Sequence, residues 1–168
     1  MSLSRRMQRP ALAATLALAL TLAVAGCNAS QIDGVESDPN GTPRIVHEST
    51  GGIATLRVTV EVDSATATWR RTTCRLPLDG APCGDDKHVE GGAIDADIRD
   101  RLFADARTRP FLELPARYRA AGPVADGMAH RLAITTSGYT RTMLWEDGAE
   151  LPPLLEQYVT TMFQALHR

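Results

Sequence analysis

The chain has 168 residues, room for one domain plus a tail. Its 18 basic and 20 acidic residues give a formal charge of −2. Without Arg5, Arg6 and Arg9, the basic residues before position 27, the balance is 15 to 20. That argues against nucleic acid as the main partner, because phosphate binding needs a surplus of Lys and Arg. A content of 43% hydrophobic and 23% charged residues is ordinary for a globular protein, and no run reaches the roughly 20 apolar residues of a membrane-spanning helix.

The first 27 residues form the most specific signal. Arg5, Arg6 and Arg9 make a basic start, and Ala11 to Ala25 is apolar apart from Thr15 and Thr21. This is the plan of a secretory signal peptide. The run Val24-Ala25-Gly26-Cys27 resembles a bacterial lipobox. That resemblance implies cleavage before Cys27, acylation of its sulfur, and a stable membrane anchor once two or more chains are attached. Residues 1–26 are thus expected to be a lipoprotein signal peptide. Asn28 follows the cysteine where enteric sorting rules use aspartate for inner-membrane retention. The expected location is the bacterial envelope, on the periplasmic face of the outer membrane or on the cell surface.

From Asn28 to Thr42 the chain is polar and carries Gly, Pro and Asn without an apolar period. Residues 27–42 read as a lipidated cysteine and flexible tether, and 43–168 as one globular domain. Arg44 to Ser49 is a short strand. Gly51-Gly52 breaks it, and such a pair permits positive φ or a plain hairpin turn. Ile53 to Val62 is the clearest strand, with Leu56, Val58, Val60 and Val62 alternating with Arg57, Thr59 and Glu61. After a turn at Asp63-Ser64-Ala65, Thr66 to Thr73 makes a partner strand with Trp69 as its large anchor. There Arg70 and Arg71 must point to opposite faces.

Cys74 to Gly91 reads as a Pro/Gly/Asp-rich loop, and Ile94 to Arg107 as a helix with Ile94, Ile98, Leu102 and Ala106 every four residues. Pro110 is expected to stop it. Arg131 to Thr136 and Tyr139 to Trp145 form two strands joined at Ser137-Gly138. Pro152-Pro153 opens a last helix with the stripe Leu155, Tyr158, Val159, Met162, Phe163 and Leu166. The expected fold class is α+β: a mostly antiparallel sheet of about five strands with two helices packed on one face, in the order β-β-β-α-β-β-α.

With Cys27 assigned to lipid, Cys74 and Cys83 remain. Export places them in an oxidising compartment, which points to a disulfide; a redox pair or metal thiolates are the alternatives. The spacing is not Cys-x-x-Cys, and zinc would need two further ligands where only His88 is near. His47, His88, His130 and His167 show no i,i+4 pairing and read as surface or strand residues. There is no Gly-x-Ser-x-Gly elbow, P-loop or dinucleotide fingerprint. No catalytic residue, metal ligand or cofactor is expected, and the chain is read as a non-enzyme. A pocket holding a perturbed histidine or carboxylate would favour an enzyme instead.

Several motifs together resemble a family. Ser49-Thr50-Gly51-Gly52-Ile53-Ala54, leading into Leu56 to Val62, resembles the Ser-Gly-Gly-aromatic-Ala-Gly opening of emfourin-like proteins, which inhibit thermolysin-like (protealysin-type) zinc metallopeptidases. Phe111-Leu112-Glu113-Leu114-Pro115 resembles the family's Phe-aromatic-x-Leu-Pro element. Asp126, then Leu132-Ala133-Ile134, then Gly138, resembles its second hairpin, and Asp147-Gly148-Ala149-Glu150-Leu151-Pro152 its lead-in to the last helix. The similarity runs in order from Ser49 to Leu166. Thr55 stands where the family has Gly, Ile53 where an aromatic is common, and the Cys74–Cys83 loop is an insertion. The resemblance implies a thermolysin-like metallopeptidase as partner, bound through Ser49, Thr50, Gly51, Gly52 and Ile53. The alternative is a noncatalytic envelope lipoprotein that binds another protein or a wall component.

Overall fold

The computed structural model describes residues 33–52, 55–76, 83–84 and 87–166. Cys27, Ile53, His167 and the expected signal peptide lie outside them. The strands are β1 (Val35–Asp38), β2 (Arg44–Gly51), β3 (Leu56–Asp63), β4 (Thr68–Arg75), β5 (Lys87–Ala93), β6 (Arg117–Tyr118), β7 (Met128–Thr135) and β8 (Gly138–Glu146). The helices are α1 (Ala96–Asp105), α2 (Arg109–Leu112) and α3 (Pro153–Leu166). One sheet takes all eight strands in the order β1-β8-β7-β2-β3-β4-β5, with β6 added to β8 as its parallel neighbour.

The expectation of about five strands and two helices is therefore corrected to eight strands and three helices among the described residues. Each addition has a physical reason. β1 falls in the segment expected to be tether: its mostly polar residues Val35-Glu36-Ser37-Asp38 pair with β8 through backbone groups, which leave no apolar period to detect. β5 falls in the expected loop. All seven of its residues are exposed, so it too has no buried face to set an alternation. β6 is two residues of backbone pairing. α2 arises because Pro110 opens a new turn instead of ending the old one; proline at the start of a helix sacrifices no hydrogen bond.

Helix α1 starts two residues later than expected. Asp95 is its cap, and the carboxylate accepts from the N–H groups of Asp97 (2.9 Å) and Ile98 (3.2 Å). Ile94 stays outside the helix and is buried against the core.

The strand registers stack side chains of one face into rungs. Trp69, Val62, Ile45, Ile134 and Arg141 form one rung across β4-β3-β2-β7-β8. Arg71, Val60, His47, Leu132 and Met143 form the next. Thr73, Val58, Ser49, His130 and Trp145 form a third, and Leu56, Gly51 and Met128 close the end. The first two rungs, with Leu102 and Phe103 of α1, Phe111 of α2 and Leu155, Tyr158 and Met162 of α3, make one continuous core. The opposite face is polar; Glu61 pairs with Arg70 there at 2.6 Å. Arg71, on the helix face, pairs instead with Glu90 at 3.1 Å, so the two consecutive arginines part across the sheet.

Arg141 is fully buried on β8. Its guanidinium donates to the carbonyls of Asp33 and Leu114, tying the approach to β1 and the connector after α2 to the sheet. Burial holds its pKa below the ordinary arginine value. Tyr139 reaches the other way, donating its hydroxyl to the carbonyl of Ala106 at the end of α1 (3.2 Å).

Candidate functional site

The β2–β3 bend and a groove beside it share the end of the sheet where the third and fourth rungs leave the helix cover. Gly51 has φ +137°, Gly52 +76° and Thr55 +47°. The Thr55 N–H donates to the Gly52 carbonyl at 3.0 Å, and the Leu76 N–H donates to the Thr55 carbonyl at 2.8 Å. The bend is thus tied both to itself and to the end of β4. A Cβ on Gly51 would lie 2.8 Å from the Gly127 carbonyl, so glycine is required there by close approach as well as by φ. Around Gly52 there is room: the nearest atom to a Cβ would be the Asp126 carbonyl at 3.9 Å. Gly51 and Gly52 are half-buried, beside the 126–128 backbone and not beneath α3.

Of the expected contact residues, Thr50, Gly51 and Gly52 meet at this bend. Ser49 does not join them on its exposed side. It is buried on the helix face, opposite His130 in the register. Ile53 lies outside the described residues.

The groove, about 520 Å³, lies between α3 and the third and fourth rungs. Its apolar lining includes Leu56, Val58, Trp145, Val159 and Phe163. A second hollow of about 490 Å³ meets it at Arg71 and Phe163 and runs toward Trp69 and Leu166. Val58 and Leu56 continue the aliphatic face of β3 past the end of the core, which leaves them half-buried here while Val60 and Val62 are buried.

His47 sits in the groove's inner wall, only 3% exposed, and neither ring nitrogen has a hydrogen-bond partner. Its ring lies 5.2 Å from Phe163, 5.4 Å from Trp145 and 5.5 Å from His130. Burial among these rings, reinforced by the nearby His130, pulls the imidazole down to about 4. His130 stacks flat on Trp145 at 5.1 Å, and its Nε2–H donates to Asp147 Oδ1 at 2.8 Å. A carboxylate can only accept, which assigns the proton to Nε2. Asp147 Oδ2 accepts from the Met128 N–H at 2.8 Å. The His130 bond first, and then the Met128 bond, hold Asp147 below the usual carboxylate range.

His47 lies on β2 and His130 on β7, and the sequence gives no spacing that joins them. They meet because the β2–β7 register sets Ser49 against His130 and His47 one rung further in. The cluster meets one condition named for an enzyme, a pocket with a perturbed histidine and carboxylate. Among the described residues His130 Nε2 is bonded to Asp147 and its Nδ1 has no partner, so no hydrogen bond joins this ring to Ser49. Among those residues no group of three or more His, Cys, Asp or Glu is placed to hold a metal ion. Cys74 and Cys83 are joined as a disulfide, with Cα atoms 5.9 Å apart, across the ends of β4 and the approach to β5. No helix among the described residues is long and apolar enough to cross a membrane.

No protein-family model matches the chain, and no curated protein matches it. The emfourin resemblance rests on the ordered sequence motifs alone.

Proposed function

We propose that the chain is an envelope-anchored lipoprotein whose domain binds thermolysin-like metallopeptidases and occludes their active-site cleft. The observation that carries the reading is the half-exposed β2–β3 bend. Among its described residues, two eight-residue strands flank it, the Thr55 N–H to Gly52 carbonyl bond ties it, and Gly51, Gly52 and Thr55 shape it with positive φ. A loop ordered before binding loses little conformational entropy on docking, which is how a small inhibitor becomes tight. A thermolysin-like cleft binds extended backbone and admits a bulky apolar side chain; on the resemblance, Thr50-Gly51-Gly52 supplies the backbone and Ile53 the side chain. The domain binds and does not catalyse. It is held at the membrane by lipid on Cys27.

The test titrates a secreted thermolysin-like peptidase with the detergent-solubilised protein and follows peptide hydrolysis. Inhibition that saturates at a fixed ratio is expected, and unchanged rates at micromolar excess would argue against the proposal. The variant Gly52→Asn adds bulk at the bend while keeping a residue that tolerates positive φ. It is expected to weaken inhibition by about tenfold or more, equivalent to ~1.4 kcal/mol.

The groove favours a second reading, a noncatalytic envelope lipoprotein that binds another protein through apolar side chains entering beside Trp145 and Phe163. Capture of the protein on an immobilised peptidase separates the two: only the first reading requires retention.

A further inference from the structure

Among the described residues, strand β5 is paired on one side, with β4, and ends the sheet. All seven of its residues are exposed, and Val89 is 47% exposed. Edge strands are normally guarded by charges, prolines, bulges or a covering element, because their free N–H and C=O groups recruit another strand. The far half of β5 cannot carry a side-chain guard. A Cβ on Gly91 would lie 2.6 Å from the Trp69 carbonyl, and one on Gly92 3.2 Å from the Trp69 indole nitrogen. Close approach to β4 therefore keeps glycine there and leaves bare backbone at the edge.

The side chains β5 does carry are self-complementary. His88 and Glu90 lie on the helix face, opposite Thr73 and Arg71; Lys87, Val89 and Gly91 lie on the other. We propose that two copies of this chain join β5 to β5, antiparallel, about a two-fold axis through Val89. In that register Val89 meets the partner's Val89, and Lys87 meets the partner's Gly91. His88 meets the partner's Glu90, and Glu90 meets the partner's His88. An imidazole N–H then faces a carboxylate twice, next to the Arg71–Glu90 pair already formed within each copy. Moving the axis to Glu90 sets carboxylate against carboxylate, and like charges directly opposite are destabilising; moving it to His88 sets two imidazoles together and takes Glu90 away from a histidine. Of these three axes, only that through Val89 sets an imidazole opposite a carboxylate on both sides, while Lys87 meets glycine. An isologous contact of this kind closes at two copies. It leaves the two β2–β3 bends at opposite ends of the joined sheet, so it is independent of the peptidase reading.

The test uses the full chain in membranes of expressing cells. Val89→Cys places two thiols on the axis, where directly opposed strand residues have Cα atoms about 4.5–5.5 Å apart, within disulfide range. Mild oxidation and a non-reducing gel should give a band of doubled mass. The unsubstituted chain, and Val124→Cys at a matched exposure of 46%, should not give it. Adding His88→Glu to Val89→Cys should cut the doubled band several-fold, and adding Glu90→Lys as well should restore it. A Val89→Cys band no stronger than that of Val124→Cys overturns the interface. Indifference to His88→Glu, or no restoration, overturns the register. Sedimentation equilibrium of the unsubstituted protein in density-matched detergent supplies a measurement free of added cysteine; a protein mass of one chain overturns the dimer.

Discussion

Replacing His47 by phenylalanine should remove an acid sensitivity built into the core. The folded protein keeps this imidazole neutral down to about 4, against an ordinary value of 6.5, because the ring is buried with both nitrogens unpartnered. A histidine whose folded pKa is depressed favours folding while it is neutral. As pH falls below 6.5 the unfolded chain takes up a proton that the folded chain refuses, so stability is lost down to about 4 and levels off below. Between about pH 7.5 and about pH 4.5 the loss from this group is about 2.5 kcal/mol. His130, Asp147, Arg71 and Glu156 line the same groove. Asp147, whose pKa is lowered, contributes stability that is lost only below the usual carboxylate range, outside this window. Urea unfolding followed by tryptophan fluorescence measures the effect, since Trp145 lies 5.4 Å from the ring. The unsubstituted protein should lose about 2.5 kcal/mol across the window from this group. His47→Phe should lose markedly less and match or exceed the parent at neutral pH, because two buried unpaired polar atoms are gone. Equal losses in both proteins would refute the assignment of the acid sensitivity to His47.

Gly51→Ala should cost about 1–3 kcal/mol, since it forces a Cβ into positive φ and against the Gly127 carbonyl; a thermal melt within a degree of the parent would contradict this. Tyr158 is buried, its hydroxyl has no partner, and burial pushes its phenol pKa up. Tyr158→Phe should therefore be neutral or stabilising by up to ~1 kcal/mol, whereas Leu155→Ala, one turn away, should cost about 2–5 kcal/mol in the same urea assay. Joint replacement of Cys74 and Cys83 by serine should cost about 2–3 kcal/mol from the short loop they close, and adding reductant to the parent should reproduce it.

Where burial imposes a period, the chain reads correctly by itself. Alternation at Val58, Val60 and Val62 marks β3, and Leu155, Tyr158 and Met162 mark α3, because each row turns toward a face whose buried residues are mostly apolar. The cap at Asp95 is local chemistry, although the helix it opens begins later than its apolar stripe suggests. Elements held by backbone pairing alone are invisible in the same terms. β1, β5 and β6 have few or no buried side chains, so nothing selects their residues by polarity. Pro110 shows a related limit: the residue that ends one helix is also suited to begin the next.

The site divides along the same line. The glycine pair at the bend is local, since positive φ leaves a mark in composition. The groove and its histidines are not, because His47 and His130 stand far apart along the chain and at no diagnostic spacing. Which rung each strand offers to its neighbour decides that they meet, and a slip of one residue would turn either ring to the opposite face. The strong strand and helix periods are properties of the chain as written, as is the apolar run before Cys27 on which the proposed lipid anchor rests. The edge left open at β5, the direction in which Arg70 and Arg71 part, and the burial that keeps His47 neutral exist only once the strands are in register, because each depends on atoms supplied by distant segments.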